Sequence, residues 1–340
     1  MSEPLVEEVR GDLVEAIHRG DLAVVDFRGA LVASVGDPVG KSAYWRSAAK
    51  PFQALPLIHS GAAARWNLSS SDLALIAGSH NGEQIHVDRA AAILDKIGCS
   101  PSDLACGTHP PLGTDAAADL QRRGVEPTVL HHNCSGNHIG MLALAGHLGA
   151  DRSGYTAPDH PVQTAILEAV SEFTGLAASE VVIGIDGCGV PCFGTSIYHL
   201  AYAFARLMEP DGRSAGWAGA AHEMRSAMAA HPYLVAGRGR LDTELMQSAD
   251  VIAKGGASGV QCVGLPGGLG IALKIEDGSM GPPPSPGAVV TIAALQQLDM
   301  LDADQVVGLS AHGRPVLHTS AGQPVGEVRP AFELAVQSTQ

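Results

Sequence analysis

Two pairs of short apolar runs, one pair near each end of the chain, limit the folds that this sequence can adopt. In residues 21–37 two runs rich in Val, Leu and Ala flank Arg28-Gly29, and residues 259–264 and 268–275 lie on either side of a Gly-rich turn. Runs of this length around such turns are typical of antiparallel strand pairs. We therefore expect an α/β (α+β) fold with a mixed or antiparallel sheet flanked by helices, and not a doubly wound parallel sheet.

Helices and one further strand are predicted for the remaining segments. The helices are predicted at 83–97, 115–123, 137–149, 160–174, 196–208, 213–230 and about 288–299. Residues 181–185 are a continuous apolar run, which predicts a buried strand. With 340 residues, of which 46% are hydrophobic, the chain can bury a large core. We expect a single domain over residues 1–340, which could contain two packed lobes.

The charge and the N-terminus exclude several functional classes. The net charge is −14, which argues against nucleic acids and anionic membrane surfaces, because both require a basic patch. Residues 1–8 have neither the basic region nor the apolar region of a signal peptide, and no apolar run reaches the roughly 18 residues of a membrane span. We expect a cytoplasmic protein with no nucleic-acid or membrane partner, whose six cysteines are thiols.

Lysine is scarce in this chain. The 21 Lys and Arg residues include only five lysines, which are Lys41, Lys50, Lys96, Lys254 and Lys274. Arg is always charged in proteins, whereas a buried Lys can lose its proton and act as a base. Ser47 precedes Lys50 by three residues in a helix predicted from about 47 to 63, with Pro51 in its first turn. This spacing places both side chains on one helix face, as a nucleophile and its base require.

Three short elements follow one another in a meaningful order. They are Ser47-x-x-Lys50, Ser79-His80-Asn81 and Lys254-Gly255-Gly256, and serine β-lactamases and penicillin-binding proteins use the order S-x-x-K, S-x-N, K-[ST]-G. Ser47 would attack an acyl carbon and Lys50 would take its proton, while Ser79 and Lys254 would pass a proton to the leaving group. Each element alone also fits a helix cap, a solvated lysine or a loop. The ordered set favours catalysis.

A second cluster contains cysteine and histidine. It consists of two stretches of sequence. Residues 131–138 include His132, Cys134 and His138, and residues 186–192 include Cys188. Cys and His are the usual zinc ligands. The spacings differ from those of zinc fingers and ribbons, so on spacing alone we favour thiols without a metal.

Six runs between residues 46 and 243 resemble the asparaginase II family, the Rhizobium-type (class 3) L-asparaginases, and the resemblance extends from about residue 5 to 335. The resemblance implies a fold related to serine β-lactamases and glutaminases, a homodimer, and hydrolysis of L-asparagine to L-aspartate and ammonia. The matching runs are Arg46–Pro56, Gly78–Glu83, Cys106–His109, His132–Gly136, Gly184–Pro191 and Val235–Thr243.

The resemblance also implies roles for individual residues. Ser47 resembles the nucleophile and Lys50 its base, with Ser79 and Lys254 as the second Ser–Lys pair. The residues that would bind or orient the substrate are Arg46, His80, Asn81, Asp186 and Gly187.

This chain departs from the family pattern in the residues that would bind a metal. Cys134 and Cys188 resemble a pair that binds zinc in a characterised branch, where the motif reads Cys-Ser-Gly-Lys-His. This chain has Asn137 in place of that Lys, so a zinc site would need His138, His132 or water as a further ligand. We expect at most weak zinc occupancy and no required cofactor.

Two other functions remain open from the sequence. The ordered motifs also suit acyl transfer on a β-lactam or a peptide, although such proteins usually act outside the cytoplasm. Asn137 leaves open a member of the family that binds an amino acid or a metal without turnover. The sequence does not rank asparagine, glutamine and related amides as substrates.

Overall fold

The computed structural model describes residues 1–210, 212, 214–280 and 285–336. The strands are β1 (Glu3–Arg10), β2 (Leu13–Asp26), β3 (Leu31–Val35), β4 (Ser42–Tyr44), β5 (Val182–Ile185), β6 (Pro191–Ser196), β7 (Ile252–Gly256), β8 (Val260–Leu265), β9 (Leu269–Ile275), β10 (Val316–His318), β11 (Pro324–Pro330) and β12 (Ala335–Val336). The helices are α1 (Lys50–His59), α2 (Ala62–Arg65), α3 (Ser70–Ile76), α4 (Gln84–Ile97), α5 (Thr114–Arg123), α6 (Ser135–Leu148), α7 (Pro161–Thr174), α8 (Ile197–Met208), α9 (Ala215–Ala230), α10 (Pro232–Val235), α11 (Leu241–Ser248), α12 (Pro286–Gln297), α13 (Ala303–Gly308) and α14 (Ser310–Gly313).

The chain divides into two compact units. Unit 1 contains Met1–Ala48, Thr195–Glu209 and Glu244–Gln340, and unit 2 contains Ala49–Gly194 and Pro210–Thr243. Each unit is therefore built from segments that are distant in sequence.

Unit 1 is built on an antiparallel sheet. Its strand order is β10-β11-β1-β2-β9-β8-β7, and β3 pairs with both β2 and β12. The 14-residue strand β2 joins the two ends of the chain, because it pairs with β9 from Gly20 opposite Ile275 to Asp26 opposite Leu269. The two strand pairs predicted near the chain ends therefore form one sheet.

Two helices cover opposite faces of this sheet. α8 packs on the face that carries Gly270, where a Cβ atom would lie 2.0 Å from the carbonyl oxygen of Ala201. Only glycine allows α8 to approach so closely. α12 packs on the other face, where its Gly287 lies near Gln261 and Leu273. The predicted α/β fold with an antiparallel sheet flanked by helices is confirmed.

Unit 2 is mainly helical. The rings of Phe52 in α1 and Phe173 in α7 meet edge to face at 5.6 Å, and Phe173 meets Trp217 of α9 at 6.3 Å. α6 is buried along 135–145, which places the start of that helix inside the unit. β5 and β6 form an antiparallel pair. No helix within the described ranges is long and apolar enough to cross a bilayer.

Most of the predicted helices are present, and two predictions need correction. The helix expected over 47–63 is a 3₁₀ turn at Arg46–Ala49, followed by α1 and α2, because Gly61 adopts a left-handed φ of 83° between them. The strand at 181–185 forms as β5, but its predicted burial is wrong. Val182, Ile183 and Ile185 are 57%, 40% and 62% exposed, so both faces of this end strand are largely uncovered. Arg213, in the predicted helix 213–230, lies outside the described residues.

Candidate active site

Lys50 is the centre of a buried polar cluster in unit 2. Its side chain is the first of α1, and the residue is only 3% exposed. Nζ lies 2.8 Å from Ser79 Oγ, 2.8 Å from the carbonyl oxygen of Gly78, 3.3 Å from that of Asn133 and 3.2 Å from Cys134 Sγ. We call these four acceptor atoms the Lys50 cradle.

The cradle suits a lysine in either protonation state. An ammonium group has three N–H donors, whereas a neutral amine has two donors and a lone pair. The two carbonyl oxygens of the cradle can only accept, so they hold two N–H groups in both states. The third position faces Ser79 Oγ and Cys134 Sγ, and a hydroxyl can either accept a hydrogen bond there or donate one. The arrangement can therefore take up and release one proton without losing its two fixed hydrogen bonds.

Ser79 is held by backbone hydrogen bonds to a second segment of unit 2. It follows α3, and its N–H donates to the carbonyl oxygen of Val235 at 2.7 Å. Two residues later the N–H of Asn81 donates to the carbonyl oxygen of Ala236 at 2.8 Å. Pairing with this second segment fixes the position of the Ser79 side chain relative to Lys50.

The side chain of Asn81 ties the same two segments together. Nδ2 donates to the carbonyl oxygen of Arg238 at 3.0 Å and to Glu83 Oε1 at 3.1 Å, while Oδ1 accepts from Arg240 at 3.1 Å. Asn81 is 3% exposed. Its amide group is thus fully engaged inside the protein.

Glu83 completes this network. Its carboxylate accepts from the Tyr233 hydroxyl and, at 3.1 Å, from the N–H of Arg238. Burial raises the pKa of Glu83, but these hydrogen bonds and that of Asn81 outweigh burial and leave the pKa lowered. A charged carboxylate therefore holds residues 79–83 against residues 233–240.

Cys134 and Cys188 lie together beside Lys50. Cys134 precedes the first residue of α6, and both residues are 6% exposed. The Cys188 thiol donates a hydrogen bond to Cys134, which lowers the pKa of Cys134 well below its usual value; Lys50 and His132 lower it further, against the effect of burial. The same hydrogen bond and burial raise the pKa of Cys188. The two thiols and the Lys50 amine thus lie together, with Lys50 Nζ 3.2 Å from Cys134 Sγ.

His138 and Asn137 lie one turn into α6. His138 Nδ1 is 2.5 Å from the Tyr155 hydroxyl, and burial lowers the pKa of His138 to about 4. His138 Nε2 and Asn137 Oδ1 are buried and have no hydrogen-bond partner among the described residues.

The donor set fits a closed zinc site poorly. A structural zinc ion needs four ligands, and a catalytic one usually has three from the protein. Cys134 and Cys188 supply two thiol groups, and no group of three or more His, Cys, Asp or Glu side chains is arranged to hold a metal within the described part of the chain. Asn137 adds an amide oxygen, which is a harder donor than zinc prefers beside thiolates.

Asp186 and Gly187 form the turn after β5. The N–H of Gly187 donates to Asp186 Oδ1 at 2.6 Å, and the N–H of Asp186 donates to the carbonyl oxygen of Val190 at 2.9 Å. The charge of Asp186 acts on both Cys188 and His138. The turn therefore places a carboxylate near the cysteine pair.

The other predicted site residues belong to unit 1. Arg46 has a φ of 50°, which is unusual for a residue other than glycine, and its guanidinium donates to Ser258 Oγ at 3.1 Å. Ser47 lies next to it in the 3₁₀ turn and is partly exposed. Lys254 lies in β7, is completely buried and donates to the carbonyl oxygen of Gly255 at 2.7 Å.

Unit 2 thus brings together Lys50, Ser79, Cys134 and Cys188. Ser79 contacts Lys50 here, whereas the sequence motifs pair Ser79 with Lys254 and Lys50 with Ser47. Sequence reasoning missed three groups of this site. They are the carbonyl oxygen of Asn133 and the side chains of Tyr233 and Glu83. The Asn133 carbonyl and Tyr233 take their roles from tertiary contacts, which no spacing pattern reports. Glu83 belongs to a matching run, but nothing in that run indicated its link to residues 233–240.

Comparison with known proteins gives one family and several distant structures. The sequence matches the family described as L-asparaginase II over residues 6–330. A search of curated proteins found no match. The structure of Mglu in its native form in the presence of 4.3M NaCl is 15% identical with a TM-score of 0.44, over 85% of this chain and 63% of that one. A probable glutaminase from Bacillus subtilis complexed with 6-diazo-5-oxo-L-norleucine is 12% identical with a TM-score of 0.38, over 83% of this chain and 84% of that one. The chain thus spans less than two thirds of the Mglu chain.

Proposed function

We propose that this chain, which belongs to the L-asparaginase II family, is an amidohydrolase that splits the side-chain amide of L-asparagine. The products are L-aspartate and ammonia, and the reaction passes through an ester between Ser47 and the substrate's β-carboxyl group. Family membership supports the class of reaction. The choice of asparagine over glutamine is part of the proposal.

The Lys50 cradle is the observation that carries this proposal. A general base must be held in place while it changes its protonation state. Two backbone carbonyl oxygens hold Lys50 Nζ at 2.8 and 3.3 Å, and Ser79 Oγ lies 2.8 Å away as an exchangeable partner. Unlike the two carbonyl oxygens, Ser79 Oγ can also donate a hydrogen bond, so it can exchange a proton with the lysine.

The proposed reaction has two steps, acylation of Ser47 and hydrolysis of the resulting ester. Ser47 Oγ attacks the amide carbon, and its proton passes to Lys50, which lies three residues further along the chain. The tetrahedral intermediate collapses as the carbon–nitrogen bond breaks. The nitrogen takes a proton from the Lys50–Ser79 pair and leaves as ammonia. A water molecule then attacks the ester carbon and gives a proton to the same pair. The pair passes that proton to Ser47 Oγ as the ester carbon–oxygen bond breaks, which releases L-aspartate and restores the Ser47 hydroxyl.

Lys254 is proposed as the second lysine of the mechanism, on the strength of the ordered motifs. It is completely buried in β7. We propose that Lys254 shares with the Lys50–Ser79 pair the proton that reaches the leaving group, since a buried amine can exchange a proton whereas Arg stays charged.

The ends of the substrate need one cation and one carboxylate. L-Asparagine is a zwitterion, so we propose that Arg46 binds its α-carboxylate and Asp186 its α-ammonium group, with the Gly187 backbone beside it. The amide group of Asn81 is already engaged inside the protein, so we assign its side chain to holding residues 79–83 in place.

The proposal routes no step through a metal. Zinc at Cys134 and Cys188 would be an addition to the Ser–Lys chemistry, and elemental analysis that found one tightly held zinc per chain would show that it is present. A homodimer and a cytoplasmic location belong to the proposal through the family resemblance, and size-exclusion chromatography with light scattering tests the first.

A substrate panel tests the proposed function. Ammonia release is measured with purified protein on L-asparagine, L-glutamine and a short peptide containing asparagine, with and without added zinc, and a chromogenic β-lactam is included. We expect turnover of L-asparagine and none of the β-lactam. Hydrolysis of the β-lactam without ammonia release would point to acyl transfer instead. Calorimetric binding of asparagine without turnover would refute the enzymatic proposal.

A further inference from the structure

His80 is a buried histidine whose chain neighbour, Ser79, contacts Lys50 Nζ. It follows Ser79 in the chain, and its ring nitrogen Nε2 is 2.9 Å from the hydroxyl of Ser135, the residue after Cys134. Ser79 Oγ and Cys134 Sγ are both members of the Lys50 cradle. The His80–Ser135 contact therefore links the two segments on which that cradle is built.

The hydrogen-bond partners fix the tautomer of His80. The N–H of Gly82 donates to His80 Nδ1 at 3.1 Å, so Nδ1 is the acceptor and Nε2 carries the proton. Nε2–H then donates to Ser135 Oγ, whose hydroxyl donates to the carbonyl oxygen of Leu130 at 3.1 Å. Burial, with nearby positive charges including Lys50, lowers the pKa of His80 well below its usual value, so the ring stays neutral.

No polar atom of the ring remains for a substrate. His80 is 0% exposed, and both of its nitrogens are used inside unit 2. The sequence led us to expect substrate binding by His80, and the contacts support a different role.

We propose that His80 is a positioning residue for Lys50. Its bond to Ser135 sets the separation of Ser79 and Cys134, and so holds the acceptors that align the Lys50 amine. The inference deepens the proposed function and rests on Lys50 acting as the base. A shift of the reacting groups by about 1 Å commonly lowers turnover by about 10²-fold, which is the size of effect expected when the link is lost.

His86 offers a matched control in the same core. It is also 0% exposed, and its ring stacks on that of His80 at 4.9 Å. Its nitrogens contact the carbonyl oxygen of Tyr233 at 3.0 Å and the N–H of Glu83 at 3.2 Å, and none of these atoms belongs to the Lys50 cradle. A residue that only stabilises the core should behave alike at both positions.

The test compares variants of His80 that each keep one of the two hydrogen bonds of its ring. His80→Gln keeps a donor that reaches Ser135, whereas His80→Asn keeps the acceptor for Gly82 but is too short for Ser135. We expect His80→Asn and Ser135→Ala to lower kcat for asparagine by about 10²-fold with KM within about threefold, because alignment of the base acts on turnover. His80→Gln should keep most of the wild-type kcat. His86→Gln removes a contact to the Glu83–Tyr233 network and none to the cradle, so its kcat should fall clearly less than that of His80→Asn.

A second readout does not depend on hydrolysis of any amide. With lysine labelled at the ε-carbon, the chain gives five signals, and that of Lys50 is identified by its loss in Lys50→Met. At a single pH, His80→Asn and Ser135→Ala should shift the Lys50 signal, and His86→Gln should shift it less than either. If the wild type releases no ammonia, the proposed function fails, and this spectrum still decides the role of His80.

Two results would overturn the inference. One is an unchanged Lys50 signal in a folded His80→Asn or Ser135→Ala protein. The other is an equal loss of kcat in the His80→Asn and His86→Gln variants. Circular dichroism establishes folding, and Ser135→Ala serves as the test if His80→Asn does not fold.

Discussion

Replacement of Gly237 by Ala should destabilise unit 2 at the network that holds Ser79. Gly237 has a φ of 109°, and an added Cβ would lie 2.7 Å from Asn81 Nδ2 and 2.7 Å from Glu83 Oε1. Both atoms take part in hydrogen bonds to Arg238 that join residues 79–83 to residues 233–240. Gly239 is a matched control, because its φ of 68° is also positive but an added Cβ would meet nothing within 4 Å.

The structure gives the size of the expected effect. A non-glycine residue at a φ of this kind costs about 1–3 kcal/mol, and losing two or so of the hydrogen bonds of Asn81 and Glu83 adds about 1 kcal/mol each. The free energy of unfolding should therefore fall by about 3–5 kcal/mol in Gly237→Ala, against about 1–2 kcal/mol in Gly239→Ala. At roughly 2 °C per kcal/mol for a chain of this size, the melting temperatures should differ from wild type by about 6–10 °C and 2–4 °C.

Thermal unfolding followed by circular dichroism measures this difference, and ammonia release reports the site. We expect Gly237→Ala to lose more turnover than Gly239→Ala at a temperature where both are folded, because the first displaces the partners of the Ser79 segment. Equal melting temperatures for the two variants would refute the reasoning, since they would show that the contacts of Asn81 and Glu83 contribute nothing beyond backbone strain.

Two further predictions concern a lysine and a histidine. Lys50→Met should lower kcat by about 10²–10⁴-fold, the usual contribution of a general base, whereas Lys41→Met, at a half-exposed position, should change initial rates of ammonia release by less than about twofold. Burial lowers the pKa of His18, but hydrogen bonds to Asp277 and Glu8 outweigh burial and leave it raised above 6.5. The stabilisation by His18 is therefore fully present at a pH below the pKa that His18 has in the unfolded chain. It is lost as the pH rises through the higher pKa that His18 has in the folded protein. The fall in melting temperature caused by His18→Gln should be larger at about pH 5.5 than at about pH 8, and the reverse order would contradict this assignment.

The sequence predicts the parts of this protein that depend on local pattern. The strand pair β8 and β9 follows from two apolar runs around a Gly-rich turn, and most helices begin and end within a few residues of their predicted limits. The exposure of β5 was not predictable, because the apolar run 181–185 would show the same pattern in the middle of a sheet and at its edge. The break between α1 and α2 depends on the φ of Gly61, which the apolar pattern does not reveal.

The candidate site also contains some residues that the sequence indicates and others that only the structure shows. Lysine scarcity and the Ser-x-x-Lys spacing single out Lys50, and family runs single out Ser79 and Cys134. The Asn133 carbonyl oxygen was not predictable, because any residue can supply a backbone acceptor. The role of Ser135 also depends on a tertiary contact with His80, which no local spacing indicates.

The initial rate of ammonia release from L-asparagine by wild type and Ser47→Ala tests the central claim most directly. Circular dichroism confirms that the variant is folded, and Ser102→Ala, at an exposed position, controls for the loss of a hydroxyl. Removing a catalytic nucleophile typically lowers turnover by several orders of magnitude. We predict turnover by wild type and Ser102→Ala, and a loss of at least about 10³-fold in Ser47→Ala. Turnover by Ser47→Ala at the wild-type rate would contradict the account.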